Sequence, residues 1–244
     1  MIDRRGFLTL SAAAGLAVAC SPRSESAGAA DAVDVTLEPT ATEIDLGGVT
    51  VGTWAYGREV PGREIRIRKG ETLRAQVTNQ LPVDTTIHWH GVALRNDMDG
   101  VPVLTQPPIP SGERFTYEFA VPDAGTYMYH SHVGTQLDRG LYGPLIIEDP
   151  DERTNYDHEL IIMLDDWIDG TGTNPDQVLA DLKKTGMADM GEMAEVGADA
   201  GVTPTRPLGD DGGDVMYPYY LINGRVAADP KVLDFRAGQR IRLR

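Results

Sequence analysis

Apolar and polar residues alternate with a period of two along much of the chain, which is the pattern of strands that bury one face. Residues 65–68 and 73–77 alternate in this way on either side of a Lys69-Gly70-Glu71 turn. Residues 115–119 and 145–147 continue the pattern, and segments rich in proline and glycine separate them. We therefore predict an all-β fold, arranged as an antiparallel sandwich.

The alternation weakens after residue 150. Residues 160–164 form an apolar run that predicts one further strand. Residues 174–213 are acidic and rich in methionine and glycine, and they predict a surface insertion with a short helix at 175–184.

An internal repeat suggests two related domains. Residues 68–75 align with residues 236–243, and Gly57-Arg58 aligns with Gly224-Arg225 at nearly the same offset. We expect a first domain over residues 33–150, and the start of a second over residues 151–244 that breaks off in mid-strand.

Composition and charge narrow the class of protein. The chain has 244 residues, 41% hydrophobic and 24% charged, which is ordinary for a globular protein. The 27 glycines and 16 prolines suit short strands joined by turns. The net charge of −15 would repel a phosphate backbone, so nucleic acid is excluded as a partner.

The N-terminus has the layout of an export signal. Arg4 and Arg5 precede an apolar run that ends at Ala19, and this run is too short to span a bilayer. The arginine pair resembles a twin-arginine signal, which we assign to residues 1–19. Residues 17–20 resemble a lipoprotein cleavage box, so Cys20 is a candidate lipid anchor, although ordinary signal cleavage also fits. Residues 20–32 then form a flexible tether, and we expect an exported protein in the periplasm or at the cell surface.

Four of the five histidines form two His-x-His pairs, His88 with His90 and His130 with His132. Both pairs lie in predicted strands, residues 86–90 and 126–132. Residues two apart in a strand point to one face, so each pair can chelate a metal. Four imidazoles without a thiolate suit copper or zinc, and iron less well.

The segments around these histidines resemble the multicopper oxidases, whose domains are Greek-key β-sandwiches of the cupredoxin type. The resemblance is specific over the first domain and weaker at Tyr219–Arg225. Its motifs are His88-Trp-His-Gly91, Met98-Asp-Gly-Val-Pro102, Thr105-Gln-Pro-Pro-Ile-Pro-Ser-Gly-Glu113, Gly125-Thr-Tyr-Met-Tyr-His-Ser-His132 and Gly140-Leu-Tyr-Gly-Pro-Leu-Ile-Ile147.

The resemblance implies roles for individual residues. It implies that His88 binds a type 2 copper and that His90, His130 and His132 bind a type 3 copper pair. In the family this cluster reduces dioxygen to water with electrons from a type 1 copper, which oxidises the reducing substrate. Asp99 matches a carboxylate that assists proton delivery, although an Asp-Gly pair is also a common turn.

The aromatic neighbours of the histidines have a plainer interpretation. By strand alternation Trp89 faces away from the metal and serves packing, and so do Tyr127 and Tyr129.

The chain also departs from the family pattern. A type 1 site needs a cysteine thiolate, and the single cysteine, Cys20, belongs to the signal. His158 stands alone, so we expect it at the surface or a strand edge without a metal role. The remaining cluster ligands come from the family's last domain, and we expect the chain to be the N-terminal part of a longer oxidase. Its substrate is left open among phenols, metal ions and cuprous ion.

Three alternatives stand beside the oxidase. A non-catalytic exported copper-binding cupredoxin for copper tolerance would need no type 1 cysteine. A zinc hydrolase would need an open coordination position and a placed base, and a copper nitrite reductase would carry its own cysteine ligand.

Met187, Met190 and Met193 form either a cuprous-ion site or the packed face of a helix.

Overall fold

Strands dominate the structure, a computed structural model that describes residues 32–184 and 215–244. The first nine strands are β1 (Ala32–Leu37), β2 (Pro39–Asp45), β3 (Thr50–Tyr56), β4 (Ile65–Arg68), β5 (Thr72–Thr78), β6 (His88–His90), β7 (Arg114–Ala120), β8 (Gly125–His130) and β9 (Tyr142–Glu148). The later strands are β10 (His158–Leu160), β11 (Leu164–Trp167), β12 (Tyr219–Ile222), β13 (Arg225–Val226) and β14 (Ile241–Leu243). Residues 175–184 are helical, as predicted. Single 3₁₀ turns occupy Asn96–Met98 and Leu137–Arg139.

Two sheets form the sandwich, one in the order β1-β5-β7 and the other in the order β4-β9-β8-β6. The turn at Lys69 and Gly70 carries the chain from β4 in one sheet to β5 in the other. The sandwich is confirmed, but it is not wholly antiparallel, because β1 pairs with β5 and β4 pairs with β9 in parallel. A parallel pair needs a long connection rather than a tight turn, which the alternation of residues cannot show.

The core lies between these sheets and follows the predicted alternation. Ile65 and Ile67 of β4 and Leu73 of β5 are at most 2% exposed, while the residues between them reach the surface or its edge. Strand β9 differs, since both of its faces are buried from Tyr142 to Ile147. A second cluster that includes Tyr142, Trp167 and Leu221 covers its outer face.

Residues 44–60 and the segment after residue 150 both supply that cover, and in the later segment one strand prediction is wrong. The apolar run 160–164 is broken, because β10 ends at Leu160 and β11 begins at Leu164. The Asn223 side chain takes the place of a strand partner at the break. It donates to the Ile161 carbonyl at 2.9 Å and accepts from the Met163 amide at 2.7 Å.

The two aligned segments of the repeat form the same turn. Gly70 and Gly238 have φ of +88° and +90°, which favours glycine at both positions. The Glu71 amide donates to the Arg68 carbonyl at 3.0 Å, and the Gln239 amide donates to the Arg236 carbonyl at 3.1 Å. Each turn precedes a strand with a parallel partner, β1 beside β5 and β10 beside β14.

Several predicted features lie outside the described residues. They are the signal over residues 1–19, Cys20, the tether up to residue 31, most of the insertion, and Met187, Met190 and Met193. Ala32, the last residue assigned to the tether, already belongs to β1. Within residues 32–184 and 215–244, no helix has the length and apolarity needed to cross a bilayer.

A half-buried carboxyl joins the sandwich to its cover. The Tyr142 hydroxyl donates to Asp165 Oδ2 at 2.7 Å. The pKa of Asp165 is raised to about 6, chiefly by burial and also by the nearby Asp166 carboxylate, while the hydrogen bond from Tyr142 opposes the rise. Because the unfolded pKa is near 3.8, the folded state holds this proton more tightly. The carboxyl therefore costs stability as the pH rises from about 4 through 6.

We expect Asp165→Asn to raise the melting temperature at pH 7.5, since an amide oxygen still accepts from Tyr142 without a buried charge. The gain corresponds to at most about 3 kcal/mol at 1.36 kcal/mol per pKa unit. Thermal unfolding of both proteins from pH 4 to pH 8 checks this. The difference should vanish near pH 4, and a wild type that is the more stable at pH 7.5 would show that the ionised carboxylate stabilises the fold.

Candidate metal centre

Strands β6 and β8 bring the two histidine pairs together. They run antiparallel, with His88 opposite His130 and His90 opposite Met128. These side chains share one face of the sheet, while Trp89 faces the other way. The predicted strands are too long, because β6 begins at His88 and β8 ends at His130.

His132 therefore lies just beyond β8, yet it still joins the group. Its ring centroid is 5.2 Å from that of His88 and 5.9 Å from that of His130. The fold thus places all four predicted histidines at one edge of the sandwich.

The spacing of the nitrogen atoms fits a metal ion. Ring nitrogens of His88, His90 and His130 all lie within 4.8 Å of one another. His90 Nδ1 and His130 Nε2 are 3.2 Å apart. Two nitrogens bound at 2.0–2.1 Å to one tetrahedral ion are separated by about 3.3 Å. The residues present therefore match the donor set and the spacing of an imidazole-bound metal.

Backbone carbonyls set the orientation of two of these rings. His88 Nδ1 donates to the Asp99 carbonyl, and His130 Nδ1 donates to the Ser131 carbonyl, each at 2.8 Å. A carbonyl only accepts, so each Nδ1 carries the proton and each Nε2 keeps its lone pair. In this tautomer, His88 and His130 offer Nε2 to a metal.

The electrostatics also favour neutral imidazole. Burial lowers the pKa of His130, and the neighbouring rings of His88, His90 and His132 lower it further, against its bond to the Ser131 carbonyl. Neutral imidazole is the form that binds metal.

Asp99 lies against His88, as its predicted role requires. Its Oδ1 is 3.3 Å from His88 Nδ1, and its side chain is 29% exposed, so it borders both the histidines and solvent. Gly100 fixes this placement, with φ of +73° and a backbone packed so closely that a Cβ atom would lie 1.8 Å from the Ile87 carbonyl oxygen. Only glycine fits there.

The aromatic residues serve packing, as predicted. Trp89 and Tyr129 are fully buried, and the Trp89 ring contacts Tyr117 and Phe119 edge-to-face at 5.6 and 5.1 Å. Tyr127 packs against the same core.

His158, by contrast, begins β10, is exposed and lies 2.9 Å from Gln239 through side-chain nitrogens. The prediction of a surface or strand-edge position is confirmed.

Sequence reasoning missed a polar network behind the histidine strands. Gln136 Oε1 accepts from the hydroxyls of Thr85 at 2.7 Å and Ser131 at 2.6 Å. Gln136 Nε2 donates to the Asp84 carbonyl at 2.8 Å. The network ties the approach to β6 to the exit of β8, where the strand ladder has stopped. A lone glutamine in a loop gave no signal of this.

Known proteins resemble this chain in sequence. A sequence model of the multicopper oxidase family matches residues 39–152. Multicopper oxidase MmcO of Mycobacterium tuberculosis is 44% identical over 260 residues, covering 99% of this chain and 51% of that protein. Copper resistance protein A of Pseudomonas syringae pv. tomato is 35% identical over 275 residues, covering 99% of this chain and 44% of that protein. The chain thus spans about half the length of these curated relatives.

A solved structure supports the same assignment. The crystal structure of a multi-copper oxidase from Pseudomonas thermotolerans superposes with a TM-score of 0.61 and 32% identity, over 81% of this chain and 42% of that one. The predicted all-β, cupredoxin-like Greek-key sandwich is confirmed by this likeness and by the observed sheets. The chain belongs to the multicopper oxidase family.

Proposed function

We propose that His88, His90, His130 and His132 hold copper. We also propose that the chain is part of an oxidoreductase that couples one-electron oxidation of a reducing substrate to the reduction of dioxygen to water. The observation that carries this proposal is the meeting of three imidazoles within 4.8 Å on one sheet face. Bound copper would supply the one-electron redox chemistry.

Copper is favoured over zinc by the donor set and by the relatives. All four side chains offer imidazole nitrogen, and the Irving–Williams order places copper above zinc on such ligands. The similarity to proteins named for multicopper oxidase activity and copper resistance points the same way. The reducing substrate stays open among phenols, metal ions and cuprous ion.

The four histidines divide between two kinds of copper in this proposal. His88 binds a type 2 copper, and His90, His130 and His132 bind a type 3 pair. The short distance between His90 Nδ1 and His130 Nε2 supports the proposal that both side chains bind the same type 3 pair. His132 stands beside the close group rather than within it, which suits a centre with more than one ion.

Another polypeptide segment completes the centre. Such a cluster with its type 1 site needs more ligands than the five histidines and one cysteine of this sequence. Residues 33–150 form the first cupredoxin domain, and residues 151–244 form the start of a second. The matching turns at Gly70 and Gly238 support that division.

We propose that the protein is exported to the periplasm or to the cell surface. Residues 1–19 act as a twin-arginine signal, residues 20–31 as a tether, and Cys20 as a lipid anchor. A twin-arginine signal would export the protein already folded, which suits a metalloprotein.

Asp99 acts as the carboxylate that passes protons between solvent and the centre. Its contacts with His88 and its partial exposure support that role.

A second candidate is copper tolerance by binding alone, which the name of the Pseudomonas syringae relative favours. Dioxygen uptake separates the two, measured on the copper-loaded protein together with the segment that completes its centre and a reducing substrate. Uptake that depends on copper supports the oxidase, and copper binding without uptake supports the second candidate.

We expect the chain to bind Cu(II) and the variants His90→Gln and His130→Gln to bind it at least about 100-fold more weakly. Each variant loses a direct ligand, which should cost more than the 10–100-fold that follows loss of an outer partner. Competition titration with a chelator measures the affinity. His158→Gln is the matched control and should bind like wild type. Equal affinity in wild type and His130→Gln would refute the proposed site.

Asp99→Asn should keep its copper but slow dioxygen reduction. The Asp99 carbonyl that orients His88 survives the change, whereas the proton-carrying group is lost, which should lower the rate by about 100-fold or more. Copper content and oxygen uptake across pH test this on the active enzyme. Asp97→Asn, an exposed carboxylate on the same turn, should act like wild type. An unchanged rate in Asp99→Asn would remove the proton role.

A further inference from the structure

Thr86 has a buried hydroxyl that the fold leaves unused. The residue is fully buried, and its Oγ1 has no hydrogen-bond partner among the described residues. Buried polar atoms almost always find a partner, in the protein or in an ordered water, because an unpaired group loses its hydration without compensation. Among the described residues, Tyr56, Trp89, Gln106 and Arg139 also carry such an atom, and Thr86 is the one that offers a hydroxyl two residues before His88.

The strand register shows where this hydroxyl lies. His88 faces His130 and His90 faces Met128, so the same antiparallel register continued outward places Thr86 opposite His132. The Thr85 and Ser131 hydroxyls lie 3.4 Å apart, which agrees with alternation continued past the end of the ladder. We therefore assign Thr86 to the face that carries the histidines.

His132 lacks what two of its neighbours have. His88 and His130 each donate Nδ1–H to a backbone carbonyl, which fixes the tautomer. In the part of the chain that the structure describes, His132 shows ring contacts with His88 and His130 but no hydrogen bond. A histidine that binds metal almost always donates its second ring N–H to an oxygen.

We propose that the Thr86 hydroxyl, directly or through one bound water, accepts a hydrogen bond from the ring N–H of His132 and so holds that ring in its copper-binding orientation. The inference rests on the proposed function. Thr86 is then a positioning residue, since it acts on the metal only through His132. Among the residues that the structure describes, the Thr86 hydroxyl lacks a donor, and the His132 ring N–H lacks an acceptor. The continued strand register places these two residues opposite each other.

Thr86→Val and Thr86→Ser test the proposal in the full chain. Valine keeps the shape and removes the hydroxyl, so Cu(II) affinity should fall by about 10–100-fold. The metal-free melting temperature should stay level or rise, because valine removes a polar atom that had no partner. Serine restores an oxygen, so affinity and the Cu(II) electron paramagnetic resonance spectrum should return to those of wild type.

Thr53→Val is the matched control, a buried threonine of β3, a strand that carries none of the four histidines. It loses its bonds to the Arg139 carbonyl and the Asp169 carboxylate, so it should lower the metal-free melting temperature and leave the copper spectrum unchanged.

Two results would overturn this inference and leave the proposed function standing. In the first, Thr86→Val binds copper as tightly as wild type. In the second, Thr86→Val loses metal-free stability to the same extent as it loses copper affinity. A wild-type chain that binds no copper overturns the proposed function, and this inference with it.

Discussion

The register of β6 against β8 is the constraint on which the rest of the site depends. With His88 opposite His130, two pairs of histidines that lie some forty residues apart in the sequence meet on one face. A slip of one residue would turn Trp89 toward the metal face and bury the imidazoles in the core. The fully buried Trp89 prevents such a slip, because its indole fills the aromatic core behind the histidines.

Tight packing around β6 and β8 orients the rings of the two chelating pairs. The close approach of Gly100 to Ile87 brings the Asp99 carbonyl to His88 Nδ1, and the Ser131 carbonyl does the same for His130. Both contacts act on Nδ1 and leave the lone pair on Nε2. Rigid backbone groups rather than mobile side chains thus select the tautomer, which keeps the site ordered before metal arrives.

Much of this could be predicted from sequence, because strands and chelating pairs have a period of two. The buried faces of β4 and β5, the inward Trp89 and the chelating geometry of each His-x-His pair followed from that period. The meeting of the two pairs followed from the resemblance to multicopper oxidases. What could not be predicted depends on atoms brought together from afar. The parallel pairing of β4 with β9, the Asn223 break and the Gln136 network leave no local pattern, and the end of β8 before His132 reflects lost ladder partners.

Anomalous diffraction at the copper edge from copper-loaded crystals tests whether the β6–β8 register builds the metal centre. We expect copper within about 2.0–2.1 Å of nitrogen atoms from both strands, His90 Nδ1 and His130 Nε2 among them. Copper bound elsewhere on the chain, with these two nitrogens joined only to each other, would contradict it.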